Sequence, residues 1–253
     1  MSLLTARLLS RLLGRRQPQL FLDFDGTLSE HHPDGGRATI YPGVRASLAK
    51  LASRWRGGVT VVSGRSVRDL KAKIGVKRVV YVGNHGLEIR GAGDPFLHPL
   101  RDKIRQSVRA AALVLRASLR AHSGAVVDVN GLSLSVNVGL VEPRRRGSIR
   151  RAIDELREEL SLLRLRRSEG HLGWDFVPDV GWDKGSAVTT LLARRPGAAA
   201  IAIGDGVGDE AMFRAVGPDG VSVRVGAALP GSAARFRLDG VPAVARLLEA
   251  LAQ

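Results

Sequence analysis

An apolar run, Leu20-Phe21-Leu22, ends in two acids one residue apart, Asp23 and Asp25, followed by Gly26 and Thr27. Two residues apart on an extended chain, both carboxylates lean to the same side. Gly26 permits a sharp turn, and Thr27 offers a hydroxyl and an N–H. Further along, "VTVVSGRS" is a second apolar run ending in Ser63 and Gly64, a hydroxyl and free N–H groups at a helix start that suit a phosphate. "GWDKGSAVTTLL" puts Lys184 at a helix N-terminus, where positive charge opposes the helix dipole, so Lys184 is expected to serve an anion. "AAIAIGDGVGDEAMF" ends another apolar run in Asp205, with Asp209 four residues on. Carboxylates spaced so across a Gly-rich turn suit Mg²⁺, which takes oxygen ligands.

These four pieces compose one chemistry. Asp23 is expected to attack a phosphoryl group and become an aspartyl-phosphate. Mg²⁺ held by Asp23, Asp205, Asp209 and the backbone carbonyl of Asp25 would offset charge between anionic nucleophile and anionic substrate. Ser63, Gly64, Thr27 and Lys184 would hold the phosphoryl oxygens. Asp25 would give a proton to the leaving alcohol and take one from the attacking water, which calls for a raised pKa. "GDGVG" brushes against the dinucleotide fingerprint, but its third glycine is absent and acids crowd the place of the pyrophosphate.

The elements that must position these groups follow from periodicity. Strands are expected at Leu20–Phe24, Val59–Val62, Val79–Val82, Ala199–Ile203, Val221–Val225 and Arg235–Leu238. Helices are expected at Val44–Trp55, Val67–Ile74, Lys184–Ala193, Asp209–Val216 and Val241–Leu251. Apolar strands alternating with helices read as a Rossmann-like α/β core with a parallel sheet, its ligands at the carboxyl ends of the strands. The alternation breaks in the middle. A helix from about Arg101 to Ala121, a hairpin made by "AVVDVN" and "LSLSVNVGL", a helix near 144–160 and strands near 163–167 and 173–177 form an α+β block of their own. The expected organisation is therefore a core of residues 1–94 and 179–253 with an inserted α+β cap at 95–178.

Composition bounds the partners. The chain has 253 residues and a formal net charge of +15, nearly all of the excess arginine. Such charge favours anions, yet aromatics are only 4%, so stacking platforms for bases are scarce and no nucleic-acid partner is expected. No apolar run approaches a membrane span. With no cysteine, disulfides, thiolate metal sites and a Cys nucleophile are excluded, which fits a reducing cytoplasm. The N-terminal "MSLLTARLLSRLLGRRQP" sets Leu4, Leu8 and Leu12 on one helical face and is expected to pack on the core, with a surface-bound or targeting helix as the alternative.

The elements "DFDGT", "VVSGR", Lys184 and "GDGVGDE" resemble, in kind and order, those of the haloacid dehalogenase superfamily of aspartate-nucleophile phosphatases. Within it the chain is similar over nearly its whole length to trehalose-6-phosphate phosphatases: "VGNHGLEIR", "NGLSLSVNV" and "SAARFRLDGVPAVARLLEAL" carry that likeness. The resemblance implies a haloacid-dehalogenase-type core with an α+β cap. It also implies His85 and Arg65 near the catalytic mouth and a sugar-reading set on the cap. That set departs from the family pattern. Asp128 and Asn130 stand where Glu-x-Lys is usual, Asn137-Val138-Gly139 where a His-Tyr-Arg-like end is usual, and Asp175-Phe176-Val177-Pro178 where Glu-x-Arg-Pro is usual. Asp128, Asn130 and Asp175 can still bond hydroxyls, but a lysine and two arginines are missing, and such changes can redirect specificity. The expected function is a Mg²⁺-dependent monomeric phosphatase of a small sugar phosphate, trehalose 6-phosphate first. Sucrose phosphate, a glycosyl-phosphoglycerate or another phosphosugar is the alternative substrate, and a basic binding module without catalysis is the remote one.

Overall fold

The computed structural model describes residues 2–14, 16–91, 93, 95–170 and 172–253. From the N-terminus run β1 (Ser2–Leu3), α1 (Ala6–Leu13), β2 (Pro18–Leu22), α2 (Val44–Arg54), β3 (Val59–Val62), α3 (Val67–Ile74), β4 (Val80–Gly83), β5 (Glu88–Arg90) and β6 (Phe96–Leu97). Then come α4 (Arg101–Ser118), β7 (Val126–Val129), β8 (Leu134–Asn137), α5 (Arg146–Glu155), α6 (Arg157–Leu162), β9 (Leu165–Gly170) and β10 (Gly173–Pro178). The chain closes with α7 (Lys184–Ala193), β11 (Ala199–Gly204), α8 (Glu210–Ala215), β12 (Val221–Val225), β13 (Phe236–Leu238) and α9 (Val241–Ala252).

The described residues form two compact units. The first holds residues 1–30, 39–96 and 182–253, the second 31–38 and 97–181. Residues 31–38, which the sequence pattern leaves in the core, thus group with the second unit, and the expected boundary at 94 falls on Asp94, outside the described residues.

The first unit is built on a nine-stranded sheet of order β1-β13-β12-β11-β2-β3-β4-β5-β6. The six expected strands lie side by side and parallel. Three short edge strands were not legible in the pattern, because two or three residues carry no periodicity: β5 runs antiparallel to β4, and β1 pairs parallel with β13. The central strands are apolar on both faces because both are covered. On one face Phe21, Val62, Val82 and Ala202 pack with Val188 and Leu191 of α7 and Met212 and Phe213 of α8. Helices α1, α2 and α9 form the other helical layer, α9 touching both α1 and α2. Helix α1 therefore packs as expected, through Leu9 and Leu13, with Leu4 just ahead of the helix also buried, while Leu8 and Leu12 are only half-buried.

The second unit is a four-stranded antiparallel sheet of order β7-β8-β10-β9 with helices α4, α5 and α6. Leu134, Val136, Trp174 and Phe176 bury one sheet face, together with Val108, Leu115, Ile149 and Ile153 of the helices. The long helix expected near 144–160 is broken at Leu156 into α5 and α6, and α4 stops at Ser118.

Candidate active site

Strand β2 ends at Leu22, so Asp23 is the first residue beyond it; its N–H still donates to the Ile203 carbonyl at 2.9 Å, extending the ladder to β11. The chain then turns. Gly26 takes φ +80°, and the N–H groups of Thr27, Leu28 and Ser29 all donate to the Phe24 carbonyl at 2.8–3.3 Å. Opposite, Asp183 caps α7 by accepting from the Ser186 N–H at 2.9 Å, which places Lys184 in the first helical turn. There Lys184 is buried, not solvent-exposed. Its Nζ donates to Asp23 Oδ1 at 2.7 Å and to Asp209 Oδ1 at 2.8 Å. The other oxygen of Asp209 accepts from the Gly206 N–H at 2.9 Å, which ties the loop after β11. Gly204 must lack a side chain here, since a Cβ would overlap the Asp209 carboxylate. The same packing puts carboxylate where a dinucleotide's pyrophosphate would need space.

Asp205 completes the cluster: one oxygen from each of Asp23, Asp205 and Asp209 lies within 4.8 Å of the others. Three carboxylates this close repel one another. Burial pushes Asp23 well above the usual carboxylate range, Asp209 and Asp205 push it further, and Lys184 pulls the other way. Burial also raises Asp209 against the pull of Lys184. Burial alone would lower Lys184, but Asp209 and Asp23 outweigh it and hold it protonated. An all-oxygen donor set carrying more negative charge than one lysine can offset fits a hard divalent cation. The residues present therefore suit the ion that the chemistry calls for.

Asp25 lies outside that cluster. Both of its oxygens accept from the Arg65 fork, Nε at 2.7 Å and Nη2 at 2.6 Å, while Arg65 Nη1 donates to Asp69 at 2.8 Å. Burial would lower Arg65; the two carboxylates outweigh it and raise it. Arg65, expected to face substrate, has its fork on the expected acid–base residue. No sequence rule pairs residues 40 apart, so this link was missed.

Ser63 is the first residue beyond β3, and it does not start the helix. Its hydroxyl accepts from the Arg65 N–H at 3.2 Å, and Ser66 is the residue that caps α3. The Thr27 N–H is committed to the Phe24 carbonyl, so of the two groups expected to meet phosphate only the hydroxyl remains. That hydroxyl is buried with no hydrogen-bond partner among the described residues. His85 sits beside Ser63: its N–H donates to the Ser63 carbonyl at 3.1 Å, and its ring covers Gly64, where a Cβ would come within 2.7 Å of the ring. The loop that carries it is held by the Trp182 Nε1–H, which donates to the Gly86 carbonyl at 2.9 Å.

In the second unit, register brings distant residues together. Asp128 pairs with Ser135, Ser135 with Asp175, and Asp175 with Ser168. Alternation puts all four on the face opposite Trp174 and Phe176. Two acids and two hydroxyls thus form one row across the sheet. Ser135 and Ser168 were not singled out from the sequence, since only the strand register reveals them. Asn130 is not in the row; it closes the β7–β8 turn, its N–H donating to the Ser133 carbonyl at 2.9 Å.

Several known proteins are similar to this chain. The trehalose-phosphatase family profile matches residues 21–241. The chain is 32% identical over 252 residues to the trehalose-phosphate phosphatase of Mycobacterium tuberculosis (strain ATCC 25618 / H37Rv), covering 95% of this chain and 63% of that protein. The chain therefore spans less than two thirds of the length of such mycobacterial relatives. The C-terminal domain of C. albicans trehalose-6-phosphate phosphatase superposes with a TM-score of 0.86 at 21% identity, over 99% of this chain and 98% of that one. A haloacid dehalogenase-like hydrolase from Bacteroides thetaiotaomicron superposes with a TM-score of 0.64 at 18% identity, over 93% and 100% of the two chains. These two structures show a shared fold.

Proposed function

We propose, because the chain belongs to the trehalose-phosphatase family, that it hydrolyses a sugar phosphate monoester, trehalose 6-phosphate, through an aspartyl-phosphate on Asp23. The observation that carries this reading is the buried Asp23–Lys184–Asp209 set at the carboxyl end of the central strands, where sheets of this kind place their chemistry. An Asp23 oxygen attacks phosphorus, the P–O bond to the sugar breaks, and the leaving alkoxide takes a proton from Asp25. Water then attacks the acyl phosphate, gives its proton to Asp25, and frees Asp23 and inorganic phosphate. In the resting arrangement each Asp25 oxygen accepts one Arg65 hydrogen bond, which leaves a lone pair on each for the proton steps. Lys184, Ser63, Gly64 and Thr27 are the groups we assign to the phosphoryl oxygens, with Arg65 and His85 near the mouth. Mg²⁺, held by Asp23, Asp205, Asp209 and the backbone carbonyl of Asp25, would supply charge neutralisation.

We assign the second unit, expected as a cap at 95–178, to reading the sugar. The Asp128–Ser135–Asp175–Ser168 row and Asn130 offer acceptors and hydroxyls of the kind that pair with sugar hydroxyls. Because that row carries no lysine or arginine, another phosphosugar is the second reading. We place the enzyme in the cytoplasm, acting as a monomer; no helix among the described residues is long and apolar enough to cross a membrane. Phosphate release across a panel of sugar phosphates, with and without Mg²⁺, tests the proposal. Trehalose 6-phosphate is expected to turn over best, and Asp23→Asn to turn over none. An active Asp23→Asn protein would refute the mechanism, and preference for another sugar the substrate.

A further inference from the structure

The first unit carries a second concave site at the opposite end of β4 from the active centre. Tyr81 and Val76 floor a cavity of about 460 Å³, and Lys71, Lys77, Arg78 and Arg90 line it. The floor is apolar and buried, with Val76 at 8% and Tyr81 at 4% exposure. The Tyr81 hydroxyl is already satisfied, donating to the Val76 carbonyl at 2.8 Å and accepting from its N–H at 3.1 Å. The tyrosine lines the cavity with the little of its ring left accessible, and the Lys71 ammonium lies 5.9 Å from its centroid.

The walls carry more cations than acids among the described residues. Among the described residues only Arg90 of the four has a carboxylate partner, Glu88 at 3.4 Å, and Arg78 donates to the Ser53 hydroxyl at 3.3 Å. Among the described residues no Asp or Glu lines the cavity. Four cations around one apolar hollow repel one another unless an anion sits among them. The volume falls within the range that holds small organic ligands, and a concave hollow of this size suits a compact molecule better than a nucleic-acid duplex. None of these residues takes part in the chemistry at Asp23. Strand β4 separates the two places, its Val80–Tyr81 end at the cavity and its Gly83 end leading into the His85 turn.

We propose that this cavity binds a small phosphorylated molecule with a flat apolar ring, of the nucleotide class: the phosphates among Lys77, Arg78 and Lys71, the ring over Val76 and Tyr81. The site does not depend on the phosphatase reading, and its test measures binding, not turnover.

Calorimetric titration of ADP into Asp23→Asn protein in EDTA keeps catalysis out of the readout. ADP is expected to bind about tenfold more tightly than either adenosine or inorganic phosphate, since neither alone reaches both floor and walls. Its affinity is expected to weaken as salt rises from about 50 to about 300 mM. Lys77→Ala with Arg78→Gly should weaken ADP about tenfold at an unchanged melting temperature. Arg78 has φ +65°, a conformation glycine adopts freely, so this variant is expected to fold. Absence of ADP binding, equal affinity for ADP and inorganic phosphate, unaltered binding by the double variant, or displacement of ADP by a short DNA duplex of higher affinity would each overturn the proposal.

Discussion

Replacing Lys184 with methionine tests the electrostatic core of the site. The side chain keeps its length and loses its charge. In the native arrangement the ammonium lies 2.7 Å from Asp23 and 2.8 Å from Asp209, and the three side chains are 9%, 7% and 1% exposed. Removing one partner from a buried ion pair costs about 3–5 kcal/mol, because the remaining charge is left uncompensated. For a chain of this size 1 kcal/mol moves the melting temperature by about 2–4 °C, so in EDTA at neutral pH the variant should melt about 6–20 °C lower. Two controls separate this from lost packing. Mg²⁺ should restore much of the difference, since the carboxylates then regain a cation. Acidification should also restore it. Asp23 and Asp209 are already raised in the native protein, and a carboxylate raised on folding contributes stability that is full below its unfolded pKa and lost as pH rises through the folded one. The variant should thus gain on the wild type as pH falls from 7 towards the ordinary carboxylate range. Differential scanning calorimetry reads all three effects. A variant that melts within about 2 °C of wild type in EDTA, or one indifferent to Mg²⁺ and pH, would refute the buried-cluster reasoning.

Other outcomes follow from the same geometry. Gly204→Ala should abolish phosphatase activity and Mg²⁺-dependent stabilisation together, because its methyl displaces the Asp209 carboxylate; an active variant would show that Asp209 is not needed there. Asp25→Ala should lower kcat by about 10²-fold or more, and an unchanged kcat would remove Asp25 from the proton transfers. Asp175→Ala should raise KM for the sugar phosphate by about tenfold with a smaller change in kcat, and an unaltered KM would take the serine–aspartate row out of substrate reading. Burial pushes His98 below its ordinary value, and its Nδ1 accepts from the Leu100 N–H at 3.3 Å just before α4. A base whose pKa is depressed on folding keeps its stability above the unfolded pKa and loses it below, so stability should fall as pH drops below roughly 6.5. Asn at this position, an acceptor that does not titrate, should flatten that slope in urea titrations at pH 7 and pH 5.5.

Local sequence pattern was enough for the central architecture and for the acids and lysine that the fold brings together. The six apolar strands lie side by side and parallel because their side chains are buried on both faces, a property written in each strand separately. Asp23, Lys184, Asp205 and Asp209 were legible because each sits at the junction of an apolar run and a glycine or helix start. Tertiary structure alone decided which groups touch. Lys184 was expected to meet an anion, and folding supplied two, Asp23 and Asp209, from segments 161 and 25 residues away. Asp25 was expected to stand ready for proton transfer, and Arg65 from the next strand's loop closed on both its oxygens. Ser135 became part of a row with Asp128 and Asp175 through strand register, which depends on hydrogen bonds between chains of atoms far apart in sequence. Local pattern encodes burial and backbone geometry; pairing between charges depends on where the sheet brings strand ends together, and no short window of residues contains that distance.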